Sequence, residues 1–155
     1  KEILQKLNTI VPQATAISIQ EAIYSGDTVA LQKNLGTLLM QSVSSYDTVG
    51  ENFYHGLVLG LCATLDNRFY ITSNRESGEG RYDLCLCPKD GKLPGILIEL
   101  KAAKDCPEDE LKVLSEKALA QIDNRKYETE LTVKGVRNIL KYGVAFSGKK
   151  VQISE

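Results

Sequence analysis

A chain of 155 residues, 43% hydrophobic and 25% charged, has the size and balance of one soluble domain able to bury a core without disulfide or metal staples. A net charge of -1, with no Lys/Arg-rich tail, argues against a surface built throughout to coat nucleic acid, although a bound cation or a local basic groove can offset an acidic site. No apolar run approaches the roughly 20 residues of a membrane-spanning helix. The start KEILQKL has no Met, apolar signal core or cleavage site, so the expectation is a cytoplasmic domain excised from a longer protein.

Residues 1–47 read as a helical arm that packs on the core or joins a preceding domain. Leu4, Leu7 and Ile10 form a short stripe before Pro12, and Ser18 opens a helical stretch through Ala22 and Tyr24 that ends at Gly26. Asp27 offers an N-cap to a longer helix whose apolar side is Val29, Leu31, Leu35, Leu38 and Leu39. From 48 to 65, Val49, Phe53, Leu57, Val58, Leu61, Cys62 and Leu65 recur at three- and four-residue steps, the pattern of a helix buried over a wide face. Gly56 and Gly60 would let it lie close to a sheet.

Strand signals follow at 68–73, 81–87 and 95–102, joined by ESGEG and PKDGKLPG, links that suit antiparallel hairpins. Pro107 with Glu108, Asp109 and Glu110 marks a helix start, with acidic residues at its positive end. Leu111, Leu114, Ala118 and Ile122 form that helix's buried stripe. A short helical piece is expected near 136–140, then strands at 142–146 and 151–154 turned by SGKK. Helix, three strands, helix, strands describes an α/β domain with a mixed sheet flanked by helices. Cys62, Cys85, Cys87 and Cys106 form no CxxC pair, and the shared face of Cys85 and Cys87 suits buried, reduced thiols better than structural zinc.

The informative stretch is GILIELKAA. On a strand, Ile96, Ile98 and Leu100 face one way and Leu97, Glu99 and Lys101 the other. A strand this apolar belongs in the centre of a sheet, covered on both faces, so Glu99 and Lys101 stand where charges are costly. Taken alone, an ion pair at a strand end is the ordinary account of them, and E-x-K on a strand is weak evidence of chemistry. In RYDLCLC, Asp83 opens an apolar strand just after a glycine-rich turn, where turn capping is its ordinary use. If the two strands are hairpin neighbours, Asp83 and Glu99 approach on one face. Two carboxylates about 4 Å apart repel by roughly 4 kcal/mol at an effective dielectric near 20, so a proton or cation must offset them. Glu51 and His55, a turn apart on the buried helix, are open to solvated or packed readings.

Taken together, ENFYHGLVLGL, SNRESGEGRYDLCL, ILIELK and ALAQIDNRKY resemble the PD-(D/E)XK nuclease superfamily. The similarity is greatest to the branch at the C-terminal end of bacterial proteins with an AAA-ATPase-like domain. The resemblance spans 49–153 and implies a restriction-endonuclease-like core at 48–155, preceded by the helical arm and by an ATPase-like domain of the same chain. It implies metal-dependent hydrolysis of phosphodiester bonds in nucleic acid, DNA by preference, with Mg²⁺ or Mn²⁺. Asp83 and Glu99 would be metal ligands, joined by Glu51 and the Leu100 carbonyl, with Lys101 near the attacking water. Gln121 corresponds to the glutamine of the second core helix, facing the sheet; an amide bonded to nearby backbone would satisfy the same position.

The pattern departs from the family in two places. Tyr82 stands where the namesake proline precedes the aspartate, and Tyr127 follows Gln121 by six residues rather than four, so a shared role requires the helix to end between them. Tyr127 with Arg75 and Arg81 makes up the candidate substrate-binding set, solvated arginines being the ordinary alternative. A catalytically silent module of the same fold, binding nucleic acid or a partner protein, is the competing expectation, and an unrelated interaction module a further one. The motifs carry no information on DNA against RNA, internal cuts against ends, or oligomeric state.

Overall fold

A computed structural model describes residues 13–42, 51–76, 81–122 and 125–155 of the chain. The stripe at Leu4, Leu7 and Ile10 lies outside these residues. Helices α1 (Gln13–Ser25), α2 (Thr28–Ser42) and α3 (Glu51–Ala63) come first. Strands β1 (Phe69–Glu76), β2 (Arg81–Pro88) and β3 (Gly95–Ala102) follow, then α4 (Glu108–Ala120), α5 (Arg125–Val133), β4 (Ile139–Ser147) and β5 (Lys150–Ser154). The strands form one sheet in the order β1-β2-β3-β4-β5. Both short links make antiparallel hairpins, as their composition predicts, whereas β3 and β4, joined through two helices, pair in parallel. The result is the mixed, helix-flanked α/β sheet expected from the sequence, with β3 at its centre.

Strand alternation splits the core in two. Leu84, Leu86, Ile96, Ile98, Leu100, Tyr142, Val144 and Phe146 pack under α1, α2 and α3 in the larger cluster. Cys85, Cys87 and Leu97 pack with Tyr127 and Leu131 of α5 on the opposite face. Helices α1 and α2 place Ile19, Ile23, Leu31, Leu35, Leu38 and Leu39 in the larger cluster, so the N-terminal segment that the structure describes shares the sheet's main core. Asp27 caps α2 as expected, its Oδ1 accepting the Ala30 amide at 3.0 Å. Val29, expected on the apolar side, is instead 81% exposed, because the buried stripe centres on Leu31, Leu35 and Leu38.

Helix α3 is fastened at the sheet end where β3 finishes. The Tyr54 hydroxyl donates to the Gly148 carbonyl at 2.9 Å, and its ring stacks on Phe146 at 4.6 Å between centroids. Gly56 meets no neighbour within 4 Å of an added Cβ, so it is not the point of close approach that its spacing suggested.

On the other face that approach occurs at Gly143. A Cβ there would lie 2.2 Å from the Ser115 carbonyl oxygen and 2.4 Å from the Leu119 nitrogen, so α4 rests directly on the β4 backbone. The buried stripe of α4 is Leu111, Ser115 and Ala118, with Leu114 turned partly outward. Ser115 is tolerated in the core because its hydroxyl bonds the Lys112 carbonyl at 2.6 Å and the Ser154 hydroxyl at 2.7 Å.

One expected element is displaced. The helical piece placed near 136–140 is absent. The helix lies at Arg125–Val133, and Ile139 and Leu140 already belong to β4. Gly135, at φ 74, ends the helix in the left-handed conformation, and the Val136 amide bonds back to the Leu131 carbonyl at 3.0 Å. With the turn closed there, β-branched Val136 and Ile139 pack as extended chain against the cluster of Tyr127 and Leu131.

Candidate active site

The hairpin between β2 and β3 sets the site. Asp83 and Glu99 are direct partners across it, so the two carboxylates project from one face on adjacent strands. Lys101, two residues on along β3, shares that face and is half-buried. Glu99 is 1% exposed, a rare state for a carboxylate and one in which a neighbouring like charge is felt strongly. In the parallel direction Glu99 pairs with Gly143, the position on which α4 rests, so that helix shields the carboxylate's flank. The Leu100 side chain is buried in the opposite cluster, which leaves its carbonyl as the group it can offer between Glu99 and Lys101.

Across the first hairpin, Asn74 pairs with Asp83, which extends the row to Asn74, Asp83 and Glu99 on β1, β2 and β3. Tyr127 descends on this row from α5. Its hydroxyl donates to Asp83 Oδ1 at 2.7 Å and accepts the Asn74 amide at 2.7 Å. The expected change of helix between Gln121 and Tyr127 is found, since α4 ends at Ala120 and α5 begins at Arg125. The surroundings of Tyr127 differ from those of a substrate contact, however. It is 7% exposed, and its hydroxyl is held by protein groups. Burial raises its pKa, and the bond to Asp83 adds to the rise, so it remains a neutral donor. Nothing in the spacing of Asn74 pointed to the site; its bond to Tyr127 joins residues 53 apart in the chain.

Gln121 does not face the sheet. It is exposed and forms the C-cap of α4, with φ -86 and ψ -4. At about 100° per residue it stands roughly 90° from the stripe of Leu111, Ser115 and Ala118, and the helix has ended by that point. Glu51 begins α3, one turn, or about 6 Å, before His55. The ring of His55 bonds the Ser73 hydroxyl on β1 at 2.6 Å, one residue from Asn74. That places the start of α3 near the same end of the sheet, with the Glu51 side chain outside the described residues. Arg75 and Arg81 flank the β1–β2 turn beside Asp83, their side chains likewise outside the described residues.

Among the described residues no group of three or more His, Cys, Asp and Glu side chains is gathered for a metal ion. Asp83 and Glu99 supply two carboxylates, and their hard oxygens suit a divalent cation such as Mg²⁺. All four cysteines are free, and burial pushes Cys62 up to about 12. Cys85 rises to about 12, through burial first and then the charges of Glu130, Cys87 and Asp83, against a lowering bond from Thr72. Among the described residues no helix is long and apolar enough to cross a membrane.

The family model of the PD-(D/E)XK nuclease superfamily matches residues 49–155, from just before α3 to the end of the chain. No curated protein matches the chain.

Proposed function

Because the chain belongs to the PD-(D/E)XK nuclease superfamily, whose membership suggests nuclease-type hydrolysis, we propose that it cleaves phosphodiester bonds in DNA with Mg²⁺ or Mn²⁺. The observation that carries this reading is the in-register pairing of Asp83 with the fully buried Glu99, with Lys101 on the same face. The two carboxylates present hard oxygens that suit a divalent cation, and they would hold it together with the Leu100 carbonyl and Glu51. When bound, a divalent ion supplies Lewis acidity that lowers the pKa of water and offsets charge on the phosphate.

The chain's own groups do the remainder. Glu99, shut away from solvent, would offer its carboxylate to the cation from the centre of the sheet. Lys101 orients the attacking water or places its ammonium against the charge that develops on the phosphate oxygens. Gln121, Arg75 and Arg81 remain the candidates for contacts to the substrate's phosphates. A preceding ATPase-like domain in the same protein would present the substrate.

The test is cleavage of single- and double-stranded DNA, and of RNA, with Mg²⁺ or Mn²⁺, comparing the wild type with Asp83→Ala and Lys101→Ala. Metal-dependent cleavage of DNA, lost in both variants, is expected. A wild-type chain that cuts no nucleic acid and binds neither ion would end the enzyme reading and favour a silent binding module.

A further inference from the structure

The row at the site has a member beyond the acidic pair and the lysine. We propose that Tyr127, oriented by Asn74, is a positioning residue that fixes the Asp83 carboxylate for the cation. This rests on the reading of Asp83 as a metal ligand.

The donor and acceptor roles leave no choice in the chain's direction. An ionised Asp83 only accepts, so the Tyr127 hydroxyl must give it its one proton. The phenol oxygen then has lone pairs left, and the Asn74 amide fills one of them. The proton cannot swing toward Asn74, because the amide's own hydrogen is directed at the phenol oxygen. The result is a directed relay of two bonds, both 2.7 Å, that ends on one named oxygen of the carboxylate. A hydroxyl-to-carboxylate bond of this kind is charge-assisted and among the stronger hydrogen bonds in proteins.

The two ends of the relay differ in freedom. Asp83 is half-buried near the open end of a hairpin, where a short side chain has rotamers to choose from. Tyr127 is anchored with Leu131, Cys85, Cys87 and Leu97, so its hydroxyl is held at a fixed place beside the strand. A ring fixed by packing thus sets the orientation of the carboxylate it bonds. With Oδ1 held by the phenol, Oδ2 is the oxygen left for the cation, on a strand paired in register with Glu99. Partners of this kind behind a metal ligand are typically worth about 10–100-fold in metal affinity. Nothing in a packing role alone would require the hydroxyl, since a phenylalanine ring fills the same cluster.

The experiment is calorimetric titration of the full chain with Mn²⁺, and with Mg²⁺, for the wild type, Tyr127→Phe, Asn74→Ala and Asp83→Ala, each with a melting curve in chelator. Tyr127→Phe is expected to weaken Mn²⁺ binding by about 10–100-fold while its metal-free melting point stays close to wild type. The Mn²⁺ concentration for half-maximal cleavage should rise by a similar factor, with the rate at saturating ion largely restored. Asn74→Ala keeps the ring and its packing but frees the phenol proton to turn, so it should shift affinity in the same direction by less. If Tyr127→Phe and Asn74→Ala bind Mn²⁺ like wild type while Asp83→Ala does not, the positioning role is overturned and the metal site stands. If the wild type binds neither ion, the metal-site reading falls, and the positioning role with it.

Discussion

From Asp83 to Lys101 the two faces of the sheet are drawn from alternate residues of the same two strands, yet they are composed differently. One presents Leu84, Leu86, Ile96, Ile98 and Leu100 to three helices in a continuous apolar layer. The other begins in the same manner with Cys87, Cys85 and Leu97, then turns to Asp83, Glu99 and Lys101 within two residues. Tyr127 stands at the boundary, its ring among the apolar residues and its hydroxyl on Asp83. The contrast shows how a small domain accommodates a buried carboxylate. One face supplies a continuous apolar layer, and the other can then set a carboxylate of 1% exposure in register with a second one.

Neighbouring residues on β3 should therefore fail in opposite ways. Glu99→Gln removes charge from the polar end. Cleavage should fall by at least about 10²–10³-fold, the scale of losing one preorganised charged group. A Glu99→Gln protein that cleaves normally would break the comparison at its most polar point. Ile98→Ala, one residue away, should cost about 2–5 kcal/mol, the range for truncating a buried aliphatic side chain. In a thermal melt of a chain this size that is a fall of roughly 5–15 °C. Activity measured well below the new melting point should persist.

How far this contrast could be read from the sequence depends on the reach of each signal. Alternation has a period of two, and RYDLCLC and GILIELKA display it within eight residues, so the parity of Asp83, Glu99 and Lys101 was legible. The short links fixed the hairpins, and with them the nearness of the two carboxylates. The sequence signal for helix α5 is weak because, among its described residues, only Tyr127 and Leu131 are buried, set among charged neighbours. The β-branched residues after Gly135 carry the stronger apolar signal, but they belong to extended chain. Gln121 was assigned a buried face by extending a stripe past the point where α4 ends. The relay from Asn74 through Tyr127 had no local trace, since it exists only once β1, β2 and α5 have come together.

The charged face also depends on a contact with no side chain in it. At Gly143, beside Glu99, the β4 backbone touches that of α4, and all three close contacts a Cβ would make are with main-chain atoms that cannot rotate away. Gly143→Ala must push the helix off the sheet, at a cost of about 1–3 kcal/mol by analogy with overpacked cores. Because α4 flanks Glu99, the displacement should weaken Mn²⁺ binding as well as lower the melting point. Loss of stability with unchanged binding would show that the helix supports the sheet without shaping the site.

The smallest effect tests the apolar face through its own titration. Cys62 on α3 is fully buried, and its thiol is pushed from the ordinary 9.0 up to about 12. In the unfolded chain the thiol loses its proton first, so the folded state is favoured by Cys62 in full below pH 9. That contribution drains away as pH rises from 9 toward 12. Denaturant melts at pH 7 and pH 10 should show the wild type losing roughly 1 kcal/mol more over this interval than Cys62→Ala, since one pKa unit corresponds to about 1.4 kcal/mol. The cavity left by the substitution lowers stability equally at both values and cancels in the difference. Equal losses in the two proteins would mean that water reaches the thiol, and that the layer beneath α3 is less dry than its packing indicates.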